Sequence, residues 1–299
     1  MRMVTGGSGF IGSHLAKNLG KTCDVVVVDK AAPKRPHGRS IKFIIHDLCL
    51  PNNALFKDAE EVYHFAASPD VKESYSQPEA FFRNNVLATF NVLESCVKQG
   101  IKKMVFASTS AVYGTAKIPT PEDAALAPVS VYGATKAACE NLIHGYSEMY
   151  GIKAVILRYA NIVGPGSIRG VTYDFFRKLS GRADSLEILG DGNQKKSYLH
   201  VEDCIDATLT ASKNAKKFSV FNVGNEDCTE VRRIASLVSQ EMGLENVVFR
   251  YAGGKEGWRG DVPLMLLDIT KIKRLGWEPK LSSEDAVKAY AKWLVGEGI

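Results

Sequence analysis

Tyr132 and Lys136 stand four residues apart in the stretch SVYGATK, residues 130–136. On a helix that spacing puts a phenol and an ammonium group one turn apart on one face. A free tyrosine titrates at about 10, too high for a good base at neutral pH, but a nearby cation stabilises the phenolate. Alcohol oxidation is chemistry that needs such a base, since a proton must leave the hydroxyl as a hydride leaves the carbon. The pair alone is also what an amphipathic surface helix carries, so its meaning rests on its surroundings. Ser108, Thr109 and Ser110 follow a β-rich run in VFASTSAVYG and offer hydroxyls to orient an alcohol. Taken alone, they are equally ordinary turn residues.

A hydride needs an acceptor, and the chain opens with a candidate for its site. Gly6, Gly9 and Gly12 in TGGSGFIGSH fall three apart between a short strand and a helix. Glycines there allow a tight turn and let backbone N–H groups approach a pyrophosphate at the helix N-terminus. The run DVVVVD ends in Asp29, whose carboxylate is placed to accept from both ribose hydroxyls of an adenosine and to repel a 2′-phosphate. NAD is therefore favoured over NADP, although Lys30, Lys34, Arg35 and Arg39 lie close by. Asp47 and Leu48, after the third strand, are placed to meet the adenine, with a plain turn role for Asp47 an even alternative. HFAAS closes the fourth strand and puts Phe65, Ala66 and Ala67 where a dinucleotide crosses the sheet edge.

The elements that must position these groups alternate. DVVVVD (24–29), IKFII (41–45), EVYHF (61–65), KKMVFAS (102–108) and KAVILRY (153–159) read as strands, and residues 10–19, 79–99 and 132–150 as helices. Strands apolar on both faces and separated by helices predict an α/β doubly wound parallel sheet, a Rossmann-type NAD-binding domain over residues 1–165. Beyond residue 165 the rhythm loosens. KSYLHV (196–201) and FSVFNVG (218–224) look strand-like, and AVKAYAKWL (286–294) is a last amphipathic helix. Residues 166–299 are expected to form a smaller α/β substrate-binding domain, with 200–224 returning to the first sheet.

The bulk composition excludes several classes. The 299 residues are 45% hydrophobic and 24% charged, ordinary for a globular protein with a sizeable core. A net charge of +5 with Lys and Arg spread along the chain gives no argument for nucleic acid. The six cysteines form no C-x-x-C pair and no Cys/His cluster with zinc spacing, so no metal is expected. No apolar run approaches the roughly 20 residues of a membrane span. A reducing cytoplasm fits best.

TGGSGFIGSH, Asp29, HDL, HFAA, NNVLATFNVLE, FASTSAVYG, YGATK, LRYANIVGPG, LGDG, HVEDC, FNVGN and LGWEP occur in the order found in extended short-chain dehydrogenase/reductases. Over nearly its whole length the chain resembles that family, and within it the UDP-glucose (UDP-galactose) 4-epimerases. The resemblance implies Tyr132 as catalytic base, Lys136 as its activator and cofactor clamp, and Thr109 as the hydroxyl beside the sugar. It implies an NAD site of Gly6, Gly9, Phe10, Ile11, Gly12, Asp29, Lys30, Asp47, Leu48, Phe65, Ala66, Ala67, Asn84, Asn85, Ser108, Tyr132, Lys136 and Tyr159. For a UDP-sugar substrate it implies Asn161, Thr172, Glu187, Leu189, Lys196, Arg259 and Asp261 besides Thr109 and Tyr132.

Relatives commonly form homodimers by pairing two helices with their copies across a two-fold axis. Here Val86, Phe90 and Val92 on one helix, with Leu142, Ile143 and Tyr146 on the other, would supply the face. Two departures stand out. Lys196-Ser197 replaces an expected Arg-Asp, and Trp258-Arg259-Gly260-Asp261 replaces Arg-Pro-Gly-Asp. Met265 falls where the pocket for the sugar's 2-substituent is expected. Three alternatives remain: a dehydratase of the same family, disfavoured because Ser110-Ala111 supplies no carboxylate after Thr109; a 4-ketosugar reductase; and a dinucleotide-binding scaffold or sensor without catalysis.

Overall fold

The computed structural model describes residues 1–33, 40–214, 216–258 and 260–297. Lys34, Arg35, Arg39 and Arg259 lie outside the described residues. The first half runs β1 (Arg2–Thr5), α1 (Phe10–Leu19), β2 (Val25–Asp29), β3 (Ile41–Ile45), β4 (Glu61–His64), α2 (Glu73–Ser76), α3 (Pro78–Phe81), α4 (Ala88–Gln99), β5 (Lys103–Thr109), α5 (Val131–Tyr150) and β6 (Lys153–Tyr159). It continues with β7 (Asn161–Val163), α6 (Val171–Gly181), β8 (Ser185–Ile188), β9 (Lys195–Lys196), β10 (Tyr198–His200), α7 (Val201–Lys213) and β11 (Phe218–Val223). The chain ends with β12 (Thr229–Glu230), α8 (Val231–Glu241), β13 (Val248–Tyr251), β14 (Leu264–Met265), α9 (Thr270–Lys273) and α10 (Ser283–Glu297).

A seven-stranded sheet in the order β11–β6–β5–β4–β1–β2–β3 is parallel throughout. Its valine-rich strands are buried on both faces, and the twofold alternation of a strand sorts them. Val25 and Val27 join Leu15, Ala16 and Leu19 of α1 and Cys204, Ile205 and Ala207 of α7 in one core. Val26 and Val28 join Ala88, Val92, Leu93 and Cys96 of α4 and Cys139 and Ile143 of α5 in the other. The strand order reverses at β1, between β2 and β4. That switch point is where open α/β sheets receive ligands, beyond the carboxyl ends of the strands.

FSVFNVG enters this sheet as β11, beside β6. KSYLHV, expected as one strand, divides into β9 and β10 at Ser197. The Ser197 side chain is buried and bonded to the backbone of Asn225, which ties the break to the next loop. A third core lies beyond the sheet and gathers Phe175 and Phe176 of α6, Ile234 and Val238 of α8, and Val287, Tyr290 and Leu294 of α10.

The helix expected over 79–99 is interrupted. Between α3 and α4, residues Phe82–Leu87 form a π-helical turn, a local widening that recurs at functional sites. The proposed dimer face also needs correction. Val92 and Ile143 are fully buried in the subunit core and cannot meet a partner, whereas Phe90 and Met149 are exposed.

Candidate active site

The glycine-rich turn is shaped by close backbone approach. Gly6 has φ +72°, and a Cβ there would lie 2.5 Å from the Ala66 nitrogen. A Cβ at Gly12 would lie 2.3 Å from the Gly6 carbonyl oxygen. Helix α1 starts at Phe10 with Gly9 as an N-cap that has no side-chain hydrogen bond, and its first turn holds no acidic residue. Its first N–H groups, at Phe10, Ile11 and Gly12, are thus available to an anion. Gly7 is a residue that the spacing argument missed: a Cβ there would strike Val27 at 2.5 Å.

Asp29 sits at the lip of this turn. Its carboxylate accepts the Ser8 N–H at 2.9 Å and the Ala31 N–H at 3.1 Å, so its orientation is set by the loop itself. Lys30 beside it is exposed. Asp47 is exposed and accepts the Cys49 N–H at 2.9 Å, which holds its carboxyl below the ordinary range. Its geometry is that of the turn residue, and Leu48 points into the core. Phe65 and Tyr159 pack with ring centroids 6.2 Å apart. The Tyr159 hydroxyl is hydrogen-bonded to Thr208 at 2.7 Å, inside the protein. Ala66 and Ala67 are half-buried at the end of β4.

The two asparagines differ. Asn85 is buried, accepts the Ser68 N–H at 2.7 Å and donates to Thr135 at 2.9 Å. Its amide braces the π-helical turn against α5 rather than presenting itself to a ligand. Asn84 donates to the Ser68 hydroxyl at 2.9 Å and is half-buried.

Tyr132 and Thr109 are brought together by the start of α5. Ser130 caps that helix by accepting the Gly133 N–H at 3.1 Å. Gly133 lies against the turn after β5, where a Cβ would be 2.5 Å from the Ala111 carbonyl. The helix end is thereby pressed onto the carboxyl end of β5, and Thr109 lies close enough to the Tyr132 phenol to favour its ionised form. Lys136 follows one turn on, buried, with its Nζ 4.0 Å from the centre of the Phe106 ring.

The electrostatic balance differs from the expectation that Lys136 would by itself bring the phenol into range. Burial pushes Tyr132 up to about 12, with Thr109 opposing. Burial pulls Lys136 down to about 8, with Cys139 and Glu140 opposing. For both groups loss of water is the largest influence, and neither is a leading cause of the other's shift.

Further buried groups surround the pair. His64 is buried, with Thr5 at 2.6 Å from Nδ1 and Thr89 at 3.0 Å from Nε2. Thr89 gives its proton to the Asn85 carbonyl at 2.6 Å, so Nε2 carries a hydrogen and donates it to Thr89. Burial and then the Lys136 charge lower the His64 pKa to about 3. Ser108 donates to the buried Glu140 carboxylate. Arg158 clasps Glu140, with Nη2 to Oε2 at 2.7 Å and Nε to both oxygens at 3.1 Å. Arg158 also donates to Tyr113 at 2.7 Å, and Tyr113 to Asn222 at 2.7 Å. The periodicity Tyr132, Lys136, Glu140 was a legible signal for Glu140; its partners were not.

The predicted substrate residues gather less tightly. Asn161 donates to the Ser197 carbonyl at 3.2 Å. Thr172, in the first turn of α6, is buried with its hydroxyl unpartnered. Glu187 faces outward between the buried Leu186 and Ile188 of β8, and Leu189 is exposed. Lys196 pairs with the buried Asp261 at 2.5 Å, and the other Asp261 oxygen accepts the Gly257 N–H at 3.0 Å. Protein partners therefore already hold the carboxylate expected to bind a hydroxyl. Among the described residues no cluster suits a metal ion.

A parallel sheet with a glycine-rich first turn, an acidic end to its second strand and a Tyr-x-x-x-Lys helix defines a dinucleotide-dependent oxidoreductase-type fold. The sequence profile of the NAD dependent epimerase/dehydratase family matches residues 2–224. A Methanocaldococcus jannaschii protein provisionally named a UDP-glucose 4-epimerase is 34% identical over 306 residues, covering 98% of each chain. The crystal structure of a UDP-galactose 4-epimerase superposes with a TM-score of 0.90 at 42% identity, covering 99% of both chains. A UDP-N-acetylglucosamine 4-epimerase from Methanobrevibacter ruminantium, in complex with UDP-N-acetylmuramic acid, gives 0.90 at 28% identity, covering 99% of this chain and 100% of that one. This chain belongs to the NAD dependent epimerase/dehydratase family.

Proposed function

We propose that the protein interconverts UDP-glucose and UDP-galactose by transient oxidation at the sugar C4. The observation that carries this reading is the Tyr132 phenol set beside Thr109, with Lys136 one turn behind it, at the carboxyl end of β5. NAD, when bound, supplies the acceptor and donor of the hydride. The uncapped start of α1 and the loop-held Asp29 carboxylate fit its pyrophosphate and ribose, with Asn84 beside them. Tyr132 takes the proton from the 4-hydroxyl and later returns it. Lys136 balances the phenolate charge in a site where burial otherwise opposes it. Thr109 donates to the phenolate oxygen and orients the 4-hydroxyl. Lys196, Asn161 and Arg259 are proposed to hold the nucleotide end, so that the sugar can turn over and present its other face without leaving.

A dehydratase would need further carboxyl groups beside Thr109. Glu140, the buried carboxylate nearest in the hydrogen-bond network, is committed to Ser108 and Arg158. Support for the UDP-hexose comes from the similar UDP-glucose and UDP-galactose epimerases, while the N-acetylhexosamine enzyme keeps that alternative alive. We place the protein in a reducing compartment, consistent with its free thiols, and as a homodimer through the exposed parts of α4 and α5. No helix among the described residues is long and apolar enough to cross a membrane. The deciding experiment is NMR of UDP-galactose incubated with the purified protein without added NAD. Accumulation of UDP-glucose is expected, and unchanged substrate would refute the reading.

A further inference from the structure

Residues 252–258 and 260–265 approach the turn between β8 and β9 from two sides and are each tied to it. The Gly253 N–H donates to the Gly190 carbonyl at 3.0 Å, and the Lys195 N–H to the Pro263 carbonyl at 2.8 Å. Between these ties, four polar side chains converge. Lys196 Nζ meets Asp261 at 2.5 Å and stands 4.8 Å from the centre of the Trp258 ring. The buried Gln194 gives its amide N–H to the Leu189 carbonyl at 3.3 Å, and its oxygen has no partner. The Trp258 indole nitrogen is likewise buried without a partner.

A buried N–H left unpaired is costly, and an indole pairs a large apolar body with one directional donor. Trp277, by contrast, donates its N–H to the Asp203 carbonyl at 3.1 Å. The charge balance points the same way. Lys196 and Asp261 cancel as a pair, so a diphosphate arriving here meets little net positive charge from them. Neutral donors must then supply part of its hydrogen bonding. Lys196 retains donor capacity beyond its Asp261 bond, because an ammonium carries three N–H groups.

Resting on the UDP-sugar reading above, we propose that Trp258 is a nucleotide-contacting residue of this chain. Its indole N–H donates to an oxygen of the nucleoside diphosphate, and its ring face shields the Lys196–Asp261 pair from water. In this assignment Trp258 sets affinity for the nucleotide and takes no part in hydride or proton transfer. It therefore acts on ground and transition states alike, raising KM when lost and sparing kcat.

The test uses the intrinsic fluorescence of the protein as purified, titrated with UDP. The sequence contains three tryptophans, so the signal can be assigned by single substitutions. UDP should change the emission of the wild type. Trp258→Phe should abolish that change, weaken UDP binding by about tenfold or more, the scale of a hydrogen bond to a charged group, and raise KM for the UDP-sugar with kcat little altered. Trp258→His, which keeps a ring N–H, should recover part of the affinity. Trp293→Phe should keep the UDP-dependent change, which holds the inference open to refutation even where Trp258→Phe does not fold. An active wild type whose Trp258→Phe variant keeps UDP affinity within about twofold, or whose signal vanishes in Trp293→Phe, overturns the inference alone. A wild type that neither binds UDP nor converts UDP-galactose overturns it together with the functional reading.

Discussion

Removing the Glu140 carboxylate should destabilise the protein and disable the site together. Arg158 and Glu140 have side-chain exposures of 6% and 5%, so solvent does little to screen them. Glu140→Ala leaves the Arg158 guanidinium buried with only Tyr113 and the Glu122 carbonyl as acceptors. Breaking a buried pair in this way costs about 3–5 kcal/mol. At about 2–4 °C per kcal/mol for a chain of this class, the unfolding midpoint should fall by roughly 6–20 °C. Ser108 loses its acceptor, and α5, which carries Tyr132 and Lys136, loses its tie to β5 and β6. Turnover at a temperature where the variant is folded should drop on the order of tenfold to a hundredfold, the scale of small misplacements at a reacting centre. Circular-dichroism melting and initial rates with UDP-galactose measure both. The double variant Glu140→Leu with Arg158→Met should regain most of the stability, because an apolar pair can replace a buried ionic one, but not the activity, because Ser108 remains without its acceptor. A Glu140→Ala protein that melts within about 2 °C of wild type with normal turnover would refute this account of the network.

Tyr132→Phe should keep the fold and bound NAD while lowering turnover by at least about a hundredfold, the scale of a lost general base; near-normal rates would remove Tyr132 from its proposed role. Asp29→Ala should weaken NAD binding and narrow the gap to NADP, since the carboxylate that selects against a 2′-phosphate is gone; a wild type that already prefers NADP by calorimetry contradicts the reading. His64 is held neutral with a folded pKa of about 3, against an ordinary value of 6.5. The unfolded chain therefore binds the extra proton between those values, and stability should fall as pH drops through that window, by up to about 1.4 kcal/mol per unit. Urea unfolding at several pH values should show this slope reduced in His64→Gln, and an unchanged slope would assign the acid sensitivity elsewhere.

Local codes were legible in the amino-acid order. DVVVVD and KAVILRY announced buried parallel strands because each needs only its own apolar run, whereas IKFII became the partly exposed edge strand β3. Gly6 and Gly12 marked the turn because the chain's covalent geometry restricts what else can stand there, and Tyr132 with Lys136 followed from the helical period alone. The tertiary structure decided what depends on partners far along the chain. Tyr113 meets Asn222, Arg158 meets Glu140, and Lys196 meets Asp261 only after the sheet is assembled, and no spacing rule connects positions so remote. The same holds for the sign of the pKa shifts. Lys136 beside Tyr132 suggested a lowered phenol, yet the fold surrounds both with Phe81, Phe106 and the buried His64. Desolvation is set by everything packed around a charge, and in a sequence those neighbours are scattered where no local pattern can gather them.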